Sequence, residues 1–467
     1  MKIIIAGAGE VGTHLAKLLS KENQDITVVD ESYEKTDAIV SAGNYDLLTL
    51  NVPPTSIMGM REAGVQHADL YIAVTPDETR NITCAMLAHT LGAKKTVARV
   101  DNSEYMQPQS LQFFSQMGID SVIYPEELAA NDIIDGLKRS WARQYWEVHG
   151  GALVMLGVKL RETAKILNIP LFDLCPPDSP YHVVAIKRRD ETLIPNGRSQ
   201  LLLGDIVYFM TTKKYVPYIR EIVGKEDYAD VKNVMIMGGG RTSVHVAHKK
   251  PDYMSMKIIE QSESRCQRLN DLLEKDDVLI IQGDGRDTQL LIEEGISDTQ
   301  AFCALTPDTD TNILACLAAK RYGVRKTVAL VENMDYVTMA ERMDIGTIIN
   351  KKTIAASRIY QMMLDADVAN VKCLTIANAD VAEFTAAEGS PITQKPIREI
   401  RLPDGITLGG LVRGKTGMPI SGNTQVEPGD IVVAFCLSQL IKRLDYFFKK
   451  PSSNPIMKAI EKLRNED

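Results

Sequence analysis

The seven cysteines of this 467-residue chain (84, 175, 266, 303, 316, 373 and 436) include no C-x-x-C pair. Scattered and odd in number, they predict reduced thiols in a cytoplasmic setting, with no disulfide framework and no zinc site. No apolar run approaches the roughly 18 to 20 residues of a membrane span. Gly151 to Val158 is far too short, so no direct membrane insertion is expected. A secretory signal is not expected either, because Lys2 leads at once into a strand and a glycine loop. Excess basic charge is also missing. The formal charge is −8, with no basic stripe or RNA-binding signature, which argues against nucleic acid as a partner. There is no P-loop lysine motif to support ATP hydrolysis. Nor is there a His, Lys or Tyr cluster of the kind a dehydrogenase places beside its substrate.

What is present begins at the first residue. Lys2-Ile3-Ile4-Ile5-Ala6 reads as a buried parallel strand, and Gly7-Ala8-Gly9-Glu10-Val11-Gly12 is a G-x-G-x-x-G loop opening a helix. Gly7 permits the tight turn, Gly9 leaves the backbone open to a pyrophosphate, and Gly12 lets the helix pack on the strand. The helix N-terminus then offers free N–H groups to phosphate. A second strand, Asp25 to Val29, ends at Asp30, where an acid meets ribose hydroxyls. An acid rather than Arg there favours NAD(H) over NADP(H).

The segments that follow alternate. Helices are expected at Ser32 to Ala42, Ile57 to Ala63, Asp77 to Leu91 and Glu126 to about Arg143. Strands are expected at Tyr45 to Leu50, Ala68 to Val74, Thr96 to Val100 and Ser121 to Tyr124. This is the pattern of an α/β, doubly wound parallel sheet. From Gln144 shorter strand-like pieces and turn signals suggest a small α+β domain. The whole arrangement then repeats. Gly7 and Gly238 stand 231 residues apart, and the same offset carries Thr75-Pro76-Asp77 onto Thr306-Pro307-Asp308 and Asn81 onto Asn312. Gly204-Asp205-Ile206-Val207 returns as Gly429-Asp430-Ile431-Val432. The expected domains are therefore Rossmann-like 1–143 and 231–367, each followed by a small α+β domain, 144–226 and 368–450, with a polar tail 451–467.

Several candidates carry two readings. Thr75, Pro76 and Asp77 could cap a helix, line the crevice, or both. Arg99 could reach a phosphate or pair with a carboxylate. In the second half Gly238-Gly239-Gly240-Arg241-Thr242 keeps the turn, Ser243 replaces the third glycine, Glu260 replaces Asp30, and Leu330 replaces Arg99. That site is expected to be altered or unoccupied. His245 and His248 lack a third ligand for a metal. Lys187-Arg188-Arg189 reads as a solvated strand end, and Trp141 and Trp146 as packing residues. The apolar faces of 126–143 and 351–365 suggest a partner domain or subunit.

Taken together, these motifs resemble the TrkA family, peripheral subunits of bacterial Trk potassium uptake built from two RCK (regulator of potassium conductance) units. The resemblance rests on residues 2–12 and 25–30, Arg61-Glu62-Ala63-Gly64, residues 73–81 and the paired Gly-Asp-Ile-Val strands. It implies a cytoplasmic homo-oligomer, dimer or tetramer, at the inner face of the cell membrane. Such proteins bind NAD(H), and often ATP or ADP, and gate a membrane-embedded potassium transporter without catalysis. Gly7, Ala8, Gly9, Glu10, Val11, Gly12, Asp30, Thr75, Pro76 and Arg99 would form the first site. Gly238, Gly239, Gly240, Arg241, Thr242, Glu260, Thr306 and Pro307 would form the second. One departure stands out: Asn51-Val52-Pro53-Pro54 replaces the glycine kept at Gly283 in the second half. The alternatives are a tandem-Rossmann NAD-dependent oxidoreductase and an RCK regulator of another channel.

Overall fold

The computed structural model describes residues 1–20, 24–41, 43, 45–189, 191–228, 230–363, 368–374, 379–437 and 441–450. The expected tail 451–467 lies outside the described residues, as does the end of the helix expected over 351–365.

The first sheet holds six parallel strands, β1 (Lys2–Ala6), β2 (Asp25–Asp30), β3 (Leu48–Asn51), β4 (Leu70–Ala73), β5 (Thr96–Arg99) and β6 (Ser121–Ile123), in the order β3-β2-β1-β4-β5-β6. Ile3, Ile4 and Ile5 are fully buried, each worth about 2 kcal/mol of apolar transfer. Both faces are covered by the helices α1 (Glu10–Ser20), α2 (Tyr33–Ser41), α3 (Ile57–Glu62), α4 (Glu78–Leu91) and α5 (Pro108–Gln116). Strand order reverses between β1 and β4. That is the place where open α/β sheets leave a crevice at the strands' carboxyl ends.

The next helix, α6 (Pro125–Leu137), stops six residues before the expected Arg143. The physical reason is a competing partner: the Arg143 N–H donates to the Gly157 carbonyl at 2.8 Å, which leads the chain into a sheet instead. That sheet contains β7 (Gln144–Val148), β8 (Leu153–Lys159), β9 (Tyr181–Arg188), β10 (Glu191–Leu193) and β11 (Ile206–Thr211), with α7 (Leu171–Leu174) and α8 (Val216–Ile222) beside it.

The second half repeats the first. Strands β12 (Asn233–Met237), β13 (Ser255–Glu260), β14 (Val278–Gln282), β15 (Ala301–Ala304), β16 (Lys326–Leu330) and β17 (Thr347–Ile349) run parallel in the order β14-β13-β12-β15-β16-β17. Helices α9 (Arg241–Lys249), α10 (Glu263–Leu272), α11 (Thr288–Glu293), α12 (Thr309–Arg321), α13 (Met334–Arg342) and α14 (Lys351–Met363) follow. A second antiparallel sheet comprises β18 (Val368–Leu374), β19 (Ala379–Thr385), β20 (Ile406–Arg413), β21 (Thr416–Pro419) and β22 (Ile431–Leu437), and α15 (Ile441–Phe448) follows it.

The two antiparallel sheets bury Met155, Tyr208 and Met210 against Val412, Val433 and Phe435, with Trp146 packed on this cluster and Trp141 in the core on the other side. Each antiparallel sheet carries an equivalent Arg–Asp ion pair. Asp205 meets Arg188 at 2.8 Å and Asp430 meets Arg413 at 2.7 Å, and both carboxylates are almost wholly buried. These pairs explain the repeated Gly-Asp-Ile-Val.

Lys187 and Arg188 are therefore not a solvated strand end. Lys187 is buried and pairs with Glu341 at 2.6 Å, and Arg188 with Asp205. A strand's polar periodicity does not reveal a carboxylate brought by a distant helix.

The chain forms two compact units, and they do not follow chain order. One contains 1–131 and 350–363, the other 132–349 and 364–467. Helix α14 thus packs on α1 within the first unit. Ile133, Ile134 and Leu137 on α6, and Ala355, Ala356 and Ile359 on α14, are buried in the chain itself. These faces meet partner elements of the same molecule and leave no argument for a partner subunit.

Candidate nucleotide-binding crevices

The first crevice is built from β1, β2 and β4. Gly7 has φ +114°, and a Cβ there would lie 3.0 Å from the Thr75 backbone nitrogen. A Cβ on Gly12 would lie 1.8 Å from the Gly7 carbonyl oxygen, so α1 can approach β1 only without a side chain. Gly9 is different. Nothing lies within 4 Å of the place its Cβ would take. The absent side chain leaves a space beside the α1 N-terminus that suits a diphosphate.

Asp30 ties this loop down. Its carboxylate accepts from Ala8 N–H at 2.7 Å and from Ser32 N–H at 2.8 Å. An ionised carboxylate has about four acceptor positions, so two remain for ribose hydroxyls. Asn51 Nδ2 donates to the Asp30 carbonyl at 3.1 Å, which anchors the edge where Val52-Pro53-Pro54 replaces the usual glycine.

On the other side Thr75 is clamped by Asn81, a residue the sequence marked only as repeated. Asn81 Oδ1 accepts from Thr75 N–H at 2.8 Å and from its hydroxyl at 2.7 Å. Asn81 Nδ2 donates to the carbonyls of Thr75 and Arg99, both at 2.9 Å. Asp77 caps α4 by accepting from the N–H groups of Thr79 and Arg80. Cap and crevice wall are therefore one structure.

Arg99 donates to Asp101 at 3.1 Å, which fits the carboxylate-pairing alternative, while its Nε is buried with no partner among the described residues. Two further cations stand at this site, Arg80 within the 73–81 motif and Lys352, which carried no sequence signal. Arg80 bridges to Glu31 at 2.8 Å. Lys352 of α14, itself buried, pairs with the exposed Glu10 at the start of α1. It is placed by a helix some 340 residues downstream of the loop.

The second crevice repeats the plan with substitutions. Glu260 accepts from Gly239 N–H at 2.8 Å and Ser262 N–H at 2.9 Å, and Gly283 N–H donates to its carbonyl at 3.0 Å. Thr306 is clamped by Asn312, whose Nδ2 reaches the Leu330 carbonyl at 2.8 Å. Ser243 fits where Gly12 stood because its hydroxyl donates to the Gly238 carbonyl at 2.6 Å. Gly239 is crowded, with Leu269 only 2.4 Å from its would-be Cβ, whereas Gly240 has only the Leu305 carbonyl oxygen, at 4.0 Å. Arg241 and Thr242 open α9, Arg241 exposed and Thr242 buried, and Pro307 follows the clamp. Leu330 offers no cation here. His248 pairs with Asp276 at 2.8 Å, and no metal-binding group of three ligands occurs among the described residues.

The fold is that of two Rossmann-like parallel sheets, each followed by an antiparallel sheet. The GsuK RCK domain superposes with a TM-score of 0.58, covering 96% of this chain and 94% of its own at 14% identity. The GsuK channel bound to NAD gives 0.58 over 96% of this chain and 78% of its own at 15% identity. At those identities the likeness concerns the fold. The TrkA-N domain matches residues 3–125 and 234–351, and the TrkA-C domain 381–449. The Trk system potassium uptake protein TrkA of Azorhizobium caulinodans is 30% identical over 96% of this chain and 99% of its own length. That of Halomonas elongata is 30% identical over 94% and 96%. The chain belongs to the TrkA family of Trk potassium uptake proteins. That family is regulatory, not catalytic. No helix among the described residues is long and apolar enough to cross a membrane.

Proposed function

We propose that this chain is the cytoplasmic, nucleotide-sensing subunit that gates a membrane-embedded potassium transporter of the Trk type. NAD(H), with ATP or ADP as further ligands, would bind as an effector in the first crevice. Gly7 to Gly12 would hold the phosphates, Asp30 the ribose, and Thr75, Pro76 and Arg99 the opposite wall. Gly238 to Thr242, Glu260, Thr306 and Pro307 would form the weaker second site. The observation that carries this is the open space at Gly9, bounded by an acid-tethered loop and an Asn-clamped threonine.

A ligand moves such a protein only through different affinity for its conformations. Here a diphosphate would compete with the Glu10–Lys352 pair at the α1 N-terminus. The proposal includes a homo-oligomer, dimer or tetramer. It is supported by exposed apolar side chains at equivalent helices: Phe113 of α5, Leu314 of α12 and Met339 of α13. Light scattering that found only monomer at micromolar concentration would remove that part.

Calorimetry with NADH tests the site. Asp30→Ala should weaken binding by about 1 to 3 kcal/mol, and unchanged affinity would refute the assignment. In reconstituted transporter, Gly9→Asp should abolish the nucleotide response of potassium flux. A wild-type response would place the switch elsewhere.

A further inference from the structure

The two small domains pack through Tyr208, Met210 and Phe435, but beside that contact a cavity of about 400 Å³ remains between them. Folded cores leave few voids larger than a water molecule. This one has the size and the domain-boundary position of small-ligand sites. The offset of 225 that relates Gly204 to Gly429 also relates its two walls. His182 corresponds to Thr407, and the turn Pro195-Asn196-Gly197 to Ile420-Ser421-Gly422, and all of these line the cavity. Both turns are closed alike. Asn196 N–H donates to the Ser199 hydroxyl and Ser421 N–H to the Thr424 hydroxyl, each at 3.0 Å. The symmetry is broken by α7 and the loop after it, which line the cavity from the first domain alone, and by His182 in place of a threonine.

Burial alone pushes the His182 imidazole down to about 4. Near neutral pH the ring is therefore uncharged, with one nitrogen donating and the other accepting. Its ring has no hydrogen bond among the described residues. Two amides in the wall are already oriented. Asn196 Oδ1 accepts from Arg198 N–H at 3.0 Å and Asn423 Oδ1 from Arg398 Nη1 at 2.7 Å, which leaves both NH2 groups as donors. Much of the remaining wall is apolar, with Phe172, Pro176, Pro177 and Pro419. No charged side chain is among the described lining residues, and Asp173 and Asp178 nearby in the chain are exposed and lie outside it. A phosphate or carboxylate would lose its water here without gaining a cation. A flat, uncharged ring with a donor and an acceptor on its edge would lose nothing of that kind.

We propose that the cavity between the two small domains binds an uncharged, planar heteroaromatic molecule, at a site separate from both glycine loops. His182, Asn196 and Asn423 meet its polar edge, and Phe172 with the prolines meets its apolar surface. A ligand held there touches both small domains at once.

The test uses the full chain carrying Gly9→Asp and Gly240→Asp, so that neither glycine loop can take the probe. The probes are nicotinamide and benzimidazole, both small, flat and uncharged at pH 7.5, followed by saturation-transfer NMR and calorimetry. At least one should bind saturably, one molecule per chain, with half-saturation at about 1 mM or below, a range open to ligands of this size. Nicotinate, which keeps the nicotinamide ring but carries a carboxylate, should bind at least about tenfold more weakly than nicotinamide. His182→Phe keeps an aromatic ring and removes both hydrogen-bonding nitrogens, and it should weaken the probe that binds by about tenfold. Phe172→Ala alters an exposed side chain, so it leaves folding intact, and it should weaken the same probe by a similar factor. Melting curves without probe confirm the fold of each variant, and loss in either well-folded variant sustains the site. The proposal is overturned if neither probe binds saturably up to about 10 mM, or if nicotinate binds as well as nicotinamide. It is equally overturned if both variants bind as the parent does.

Discussion

At the scale of single residues, two glycines in one loop do opposite things. Gly12→Ala places a methyl carbon against the Gly7 carbonyl and should destabilise the first unit by about 1 to 3 kcal/mol, the usual cost of overpacking. Gly9→Ala meets no atom, so its melting temperature should stay near wild type while NADH affinity falls. Equal loss of stability in both would contradict the geometry. Lys326 offers a test by pH. Burial, with a smaller push from Arg143, lowers its ammonium group to about 7, and it donates to the Ala142 carbonyl and the Thr347 hydroxyl. Its folded value is below the unfolded one, so the unfolded chain binds more protons between them and stability rises with pH across that window. Lys326→Met should therefore stabilise the second unit at or below pH 7 by on the order of 1 to 3 kcal/mol. The gain should shrink as pH climbs toward 10, and urea midpoints at pH 7 and 9.5 would show it.

At the scale of elements, the buried Arg–Asp pair holds each small domain's long hairpin to its central strand. Burial raises the Asp430 carboxyl, but hydrogen bonds from Arg413 and the Glu427 N–H, with the guanidinium charge, outweigh it, and the net shift is downward. A depressed carboxylate contributes stability above its unfolded value and loses it as pH falls through the folded one. Asp430→Asn should cost about 2 kcal/mol at pH 7, and the difference from wild type should narrow below about pH 4. Denaturant melts across that range would show whether it does.

The elements themselves were largely legible in the sequence. The isoleucines of β1, the glycine loop and the 231-residue repeat are local signals, because apolar runs and Cβ-free turns are dictated by neighbours in the chain. Asp30 and Thr75 were legible for the same reason. The clamp by Asn81 was visible only as a repeated letter, and its four hydrogen bonds depend on the meeting of β4, β5 and α4. Lys352 could not be read at all. Its place beside Glu10 is decided by where α14 packs, and nothing near position 352 encodes that. The basic run at Lys187 misled because its counter-charges come from other elements.

At the scale of the whole molecule, the two units exchange segments: 350–363 completes the first, and 132–137 of α6 belongs to the second. A chain ending at residue 230 should therefore be poorly stable. It should show a lowered melting temperature and bind a hydrophobic dye through the uncovered α1 face, and adding residues 231–467 in trans should reverse both. A stable, dye-silent fragment would contradict the packing. There is also a consequence in time. Synthesis proceeds at roughly 5 to 20 residues per second, so the last helix of the first unit emerges on the order of ten seconds or more after its sheet. For that interval the nascent first sheet presents an uncovered apolar helix face. Chaperone occupancy on translating ribosomes should rise once residue 131 has left the exit tunnel and fall only after residue 363 has followed it.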